Sequence, residues 1–294
     1  MTAFPASIDA KHPDYAALIV IARFIERVSY QAGRKGLSFE FPPLVRQMID
    51  EVVDTPRTGR LKLDELEKTE KTYLGTKIEI IIRDFLGVPK GMFLDLLIEG
   101  VEVDVKNTVG QNWAIPQEAV GEICLLVAIN EAKNICHFGL VVARAAYLTA
   151  GQNQDKKKTL SSFGKANILW LLHETPYPAN FWAQFDKATL SSFHDVANAS
   201  PNERIARLFR NFQRKVVPRG AIVDVARQLD SLKRVRGNGG ARDILKAEGI
   251  AILSGNYNKE LRRQLGFGHL KNGEFVSIKP RNSDEADLLA ELLQ

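Results

Sequence analysis

Cysteine is scarce in this sequence, with only Cys124 and Cys136 among 294 residues. Two thiols exclude a disulfide framework and a four-cysteine zinc site. Each lies in an apolar run, where a buried, reduced thiol is expected. The five histidines (His12, His137, His173, His194 and His269) are scattered, show no metal-ligand spacing and support no Ser-His-Asp arrangement. Glycine and proline, at 21 and 12 residues, are too few for a collagenous chain. No uninterrupted apolar run approaches the ~18–20 residues that span a bilayer. The start, Met1-Thr2-Ala3-Phe4-Pro5, has no basic stretch before an apolar core. A cytoplasmic protein without a secretory signal is therefore expected. Gly237-Asn238-Gly239-Gly240 is followed by no Gly-Lys-Ser/Thr and is no phosphate-binding P-loop.

What is present is an ordinary globular composition, 45% hydrophobic and 26% charged, at a length of about two domains. The net charge of +5 is unevenly spread. Residues 1–176 carry 21 basic and 22 acidic side chains, whereas residues 201–281 carry 18 and 7, a net of +11. A basic block beside a near-neutral half suggests a polyanion-binding module joined to something else.

Apolar spacing predicts a helix over residues 14–32, a second over 44–53 begun by Pro42 and Pro43, and a long third over 63–86 ended by Gly87 and Pro89. The period then changes. Residues 94–106 read as two short strands about Glu99-Gly100, and 123–129 and 135–142 as strands covered on both faces. A polar loop follows at 151–158, a helix at 160–172 and a linker at Thr175-Pro176-Tyr177-Pro178. Beyond it lie helices at 203–217, 221–229, 241–248 and 259–265, then a hairpin turning at Asn272-Gly273. The first half is thus an α/β layer structure with a mixed central sheet flanked by helices. The second, mainly α, has the element order of a winged helix. The boundary is placed at 174/175.

The chemistry concentrates in the first hairpin. A two-residue turn at Glu99-Gly100 pairs Ile98 with Val101, Leu96 with Val103, and Asp95 with Asp104. Two carboxylates ~5 Å apart repel by about 3 kcal/mol even at an effective dielectric of ~20. A cation between them turns that penalty into a binding site, and hard oxygen ligands in small number suit Mg2+. Lys106, two residues beyond Asp104, leaves the same strand face, and all three groups are expected on its wet edge. Glu79 stands on the preceding helix in a largely apolar stripe with Gly75, Ile82 and Leu86, where a carboxylate needs a partner.

Asp95 followed by Asp104-Val105-Lys106 is the layout of the PD-(D/E)xK nucleases. The surrounding strings resemble the NaeI family of type II restriction endonucleases. They include Lys68-Thr69-Glu70-Lys71-Thr72, Val101-Glu102-Val103-Asp104-Val105-Lys106, Trp113-Ala114-Ile115-Pro116, Glu118-Ala119-Val120-Gly121 and Gly151-Gln152-Asn153-Gln154-Asp155. Likeness returns at Lys233-Arg234-Val235-Arg236 and Gly239-Gly240-Ala241-Arg242-Asp243. The resemblance implies a homodimeric, Mg2+-dependent endonuclease cutting double-stranded DNA. A nuclease domain (1–174) would be followed by a winged-helix DNA-binding domain (175–294) able to take a second DNA copy as effector. A cognate DNA methyltransferase is expected in the same cell, and no membrane partner. The family's acidic residues map onto Glu79, Asp95 and Asp104 and its lysine onto Lys106, while Val105 contributes its backbone carbonyl.

Gln111, Asn112, Asn153 and Asp155 can hydrogen-bond base edges, and Lys156, Lys157 and Lys158 suit phosphates. In the second half Arg234, Arg236, Arg242, Lys259, Arg262 and Arg263 are the phosphate candidates. Two other readings share these features: a nicking endonuclease of the mismatch-repair type, and a winged-helix regulator without catalysis.

Overall fold

The computed structural model describes residues 8–110, 112–186, 188–190, 199–228 and 230–293. The chain divides into two compact units, residues 1–52 with 62–179, and residues 53–61 with 180–294.

In the first unit, α1 (Tyr15–Ser29) buries Leu18, Ile21, Ala22, Ile25 and Val28, the stripe its sequence spacing predicts. Helix α2 spans Leu37–Val53 and begins a turn before its prolines. The Gly36 carbonyl accepts from the amides of Phe39 and Glu40, so the helix is nucleated upstream, while Leu37 and Phe41 are buried. Residues 63–86 are not one helix: a short 3-10 turn at Leu63–Glu65 precedes α3 (Lys68–Leu86). Glu67 and Glu70 close a reciprocal capping box at the true start, and Gly87 ends the helix in the left-handed region (φ 64°).

Strands β1 (Leu96–Ile98) and β2 (Val101–Thr108) form the expected hairpin in the expected register. Glu99 and Gly100 both take positive φ, 50° and 79°, as a type I′ turn demands. The Glu99 carboxylate is tied to Arg27 at 2.5 Å. After β3 (Ala114–Ile115) come β4 (Ile123–Asn130) and β5 (Ile135–Val142). The main sheet is ordered β1-β2-β4-β5 and then one more strand; β2 and β4 run parallel and the other neighbours antiparallel. It is the mixed sheet expected. One face receives Phe41 of α2 against Phe138, with ring centroids 4.3 Å apart. The opposite face carries Cys124, Leu126, Ala128 and Val141. These pack with Trp113, Ile115, Leu148 and Leu160 of a second, three-stranded sheet and its flanks. Both cysteines are buried.

The expected loop at 151–158 is the end of a hairpin, β6 (Leu148–Gln152) with β7 (Lys158–Leu160). The helix expected over 160–172 shrinks to α4 (Ser162–Ala166). Residues read as helix and linker become the edge strand β8 (Leu169–Pro176), which pairs with β5 up to Ile135–Pro176. A five-residue apolar run has no decisive period, and an edge strand tolerates proline.

The second unit holds α5 (Pro201–Asn211), α6 (Arg219–Ala226), α7 (Ala241–Lys246), β9 (Ala251–Ser254), α8 (Lys259–Gln264), β10 (Phe275–Ile278) and α9 (Ser283–Leu293). One core gathers Ile205, Leu208, Phe209, Phe212, Ile222, Val225 and Leu245, and a second Leu253, Leu270, Val276, Ile278 and Leu289. The hairpin expected about Asn272-Gly273 is corrected. A turn forms there, with Gly273 at φ 83°, but β10 pairs with β9, across α8. Leu270 is buried in the core instead of extending a strand, and the apolar run before Gly255 supplies the partner.

No described helix is long and apolar enough to cross a membrane.

Candidate active site

The hairpin register sets Asp95, immediately before β1, opposite Asp104 in β2. Asp95 Oδ2 accepts the Val105 amide at 2.8 Å, which fixes the first carboxylate against the second strand. Lys106 Nζ lies 2.8 Å from Asp104 Oδ2 and donates to the Val105 carbonyl at 3.1 Å. The ammonium thus sits between the two oxygens expected to hold a cation. That ammonium closes a tight ion pair with Asp104 Oδ2, which is buried. The expected wet edge is corrected here: β2 is an inner strand flanked by β1 and β4, and Asp104 is only 5% exposed.

Burial pushes the Asp104 carboxyl up to about 6, with the neighbouring Asp95 adding to the rise and Lys106 opposing it. Burial also pulls on Lys106, but Asp104 and Asp95 outweigh it and hold the ammonium above its ordinary value. Glu79 projects from α3, half-buried; burial and the charge of Asp95 raise its carboxyl while Lys106 pulls it down. Glu79, Asp95, Asp104 and Lys106 therefore share one electrostatic neighbourhood. Gly75, one turn earlier on α3, lets the helix approach β2, since a Cβ there would meet Asn107 Nδ2 at 2.9 Å. Cys124 is the register partner of Asp104, and its buried thiol is pushed far up by burial and that carboxylate.

Among the described residues no three carboxylate, histidine or cysteine side chains are close enough to hold a metal ion together. Two carboxylates and a carbonyl nonetheless suit Mg2+, which keeps waters and substrate phosphate oxygens in its remaining positions. The buried carboxylate of Asp104, beside Asp95 and already met by the cationic Lys106, is the observation that fits such an ion.

The remaining candidates are dispersed. Gln111 lies outside the described residues. Asn112 is exposed and accepts from Lys165 at 2.9 Å. Asn153, Asp155 and Lys156 occupy the exposed end of the β6–β7 hairpin, with Lys157 and Lys158 half-exposed beside them. The Asn153 carbonyl oxygen accepts the Lys157 amide, so that side chain builds the turn. In the second unit Arg234, Arg236, Lys259 and Arg263 are exposed, Arg263 paired with Glu260 at 3.0 Å. Arg242 donates to the Ile252 carbonyl. Arg262 is 5% exposed and donates to the carbonyls of Tyr257 and Leu270, at 2.9 and 3.0 Å. Arg204, Arg210 and Arg214 are likewise engaged by carbonyls or by Glu203, Glu248 and Glu285. Much of the basic block is internal scaffolding.

One grouping escaped the sequence reading. His137 and His173, far apart in sequence, have ring centroids 4.9 Å apart across β5 and β8 and flank Trp170. With Trp113 and Lys165 they line a cavity of about 310 Å³. Only the antiparallel pairing of β8 creates this neighbourhood, and the sequence by itself predicts a helix as far as Leu172 and a linker from Thr175.

A family model for the restriction endonuclease NaeI matches residues 38–288. The type II restriction enzyme NaeI of Lentzea aerocolonigenes is 34% identical over 258 residues, covering 83% of this chain and 79% of that protein. Both matches are to restriction enzymes, and they span both units and the whole Asp95–Lys106 hairpin. The chain therefore belongs to the NaeI family of type II restriction endonucleases and is a site-specific deoxyribonuclease.

Proposed function

We propose that this restriction endonuclease makes Mg2+-dependent double-strand cuts, with Asp95, Asp104 and the Val105 carbonyl holding the metal. The observation that carries this reading is the buried Asp104 carboxylate, set beside Asp95 and met by the Lys106 ammonium, a cation where a metal would be expected. Bound Mg2+ supplies charge neutralisation at the scissile phosphate and a lowered pKa for water. The Val105 amide holds Asp95 in place, so one carboxylate is preorganised before DNA arrives. Lys106 must give up its contact with the Val105 carbonyl, and then points its ammonium at the attacking water and orients it. Glu79, its carboxyl raised by burial and by the charge of Asp95, accepts a proton or positions a second water.

One chain offers one such centre, whereas a duplex has two strands to cut, which favours a homodimer. The second unit serves as a winged-helix module binding DNA through Arg234, Arg236, Lys259 and Arg263, with a second DNA copy acting there as effector. Asn112 and the β6–β7 hairpin, with Asp155 and Lys156–Lys158, reach the cleaved duplex. The enzyme works in the cytoplasm beside a methyltransferase that protects host sites. Incubation with plasmid DNA and Mg2+, followed by mapping of the ends, tests the reading. Defined double-strand ends at one sequence are expected; nicks alone, or equal cutting by Lys106→Ala, would overturn it.

A further inference from the structure

The loop leading into Asp95 has a construction that metal binding does not require. Both oxygens of the Glu102 carboxylate are turned onto it. Oε1 accepts the Met92 amide at 2.6 Å, and Oε2 accepts those of Phe93 and Leu94 at 3.1 and 2.6 Å. Three amides converging on one carboxylate make a rigid turn, and they hold that carboxyl below its ordinary range. Gly91 is part of the design, because a Cβ there would run into Glu102 Oε2 and come within 2.7 Å of the Leu94 carbonyl. The turn displays its two large apolar side chains outward: Met92 is 83% exposed and Phe93 82%, the two most exposed large hydrophobics in the first unit among the described residues. A fixed backbone that presents adjacent Met and Phe side chains to solvent is costly unless something covers them.

We propose that Met92 and Phe93 form a wedge that inserts between base pairs of the substrate duplex beside the scissile phosphate. Three features favour DNA over a protein partner. Phe93 is two residues from Asp95, so a phosphodiester held at that carboxylate brings its flanking bases to the loop. Lys90, exposed on the same loop, provides a cation for the neighbouring phosphate. An apolar wedge on a stiff support is the device that unstacks and kinks a base step, and Met and Phe are side chains that do so. The inference rests on the proposed assignment of Asp95 to the cutting centre.

The test uses full-length enzyme and a short duplex built on the mapped cut site, with 2-aminopurine placed in turn at each step within two base pairs of the cut. Ca2+ replaces Mg2+ to hold the complex uncut. Wild type is expected to raise 2-aminopurine fluorescence several-fold at one step. Phe93→Ala should abolish that rise and lower kcat/KM for cutting by roughly 10- to 100-fold, since unstacking a step is worth a few kcal/mol. Phe93→Trp should restore both. Thermal melting of Phe93→Ala should match wild type, because the side chain touches little. A wild-type enzyme that cuts without any fluorescence change, or a Phe93→Ala variant that cuts fully, overturns the wedge and leaves the metal assignment intact. Loss of cutting with a change of sedimenting mass and no fluorescence signal in wild type would make the loop a subunit contact and also refute it. A wild type that fails to cut any DNA refutes the site reading itself.

Discussion

Asp104 is expected to be a cost to stability that function retains, and Asp104→Asn measures it. The carboxyl rises from 3.8 to about 6 on folding. A raised carboxyl stabilises the fold fully below its unfolded value, and that contribution is lost as pH rises through about 6. At pH 8 without metal the fold therefore carries a charge it disfavours by up to about 3 kcal/mol, at ~1.36 kcal/mol per unit. The attraction of Lys106 is already inside that figure, because the ammonium opposes the rise. Asparagine keeps the shape and removes the charge. With EDTA at pH 8, Asp104→Asn should melt several degrees above wild type, taking roughly 2–4 °C per kcal/mol. At pH 3, below the unfolded value of 3.8, the two should melt together, since the wild-type carboxyl is then protonated both in the fold and in the unfolded chain. Cutting should be lost at every pH, and Mg2+ should stabilise wild type but not the variant. Thermal melts from pH 3 to 8 give the answer. A variant less stable than wild type at pH 8, or an offset independent of pH, refutes the reasoning.

Lys106→Ala should reduce cutting by at least ~10³-fold while Ca2+-supported DNA binding persists, measured by gel shift beside plasmid cleavage; near-normal cutting would remove Lys106 from the mechanism. Mg2+ binding by the wild type should weaken as pH drops below about 6, because the metal must then displace the Asp104 proton, and a Mg2+ affinity flat from pH 8 down to pH 5 would contradict that. Arg234→Ala with Arg236→Ala should lower DNA affinity and flatten its salt dependence by about 0.9 per lost phosphate contact, read from binding titrations at several salt concentrations. Arg262→Ala should behave differently: it unseats two carbonyls in a buried place and should destabilise the fold by roughly 2–4 kcal/mol in denaturant melts.

The hairpin and the opposition of its two aspartates were legible in the sequence alone. Glu99-Gly100 can turn in one way that keeps Val101, Val103 and Val105 alternating with charged residues, and that register necessarily opposes Asp95 and Asp104. The apolar runs at β4 and β5 were equally legible, because a strand buried on both faces leaves no polar alternation. Tertiary structure decided what local signals leave open. Residues 168–172 are too few to show a period, and only an unpaired edge of β5 made them a strand, bringing His173 and Trp170 to His137. Asn272-Gly273 makes its turn, but strand pairing depends on which apolar segment is available in space, and that segment was β9. Burial belonged to the same level. A charge count cannot distinguish an arginine that faces a phosphate from one that holds carbonyls, as Arg262 does, nor foresee that a strand added beside β2 would enclose Asp104 and raise its carboxyl toward neutrality.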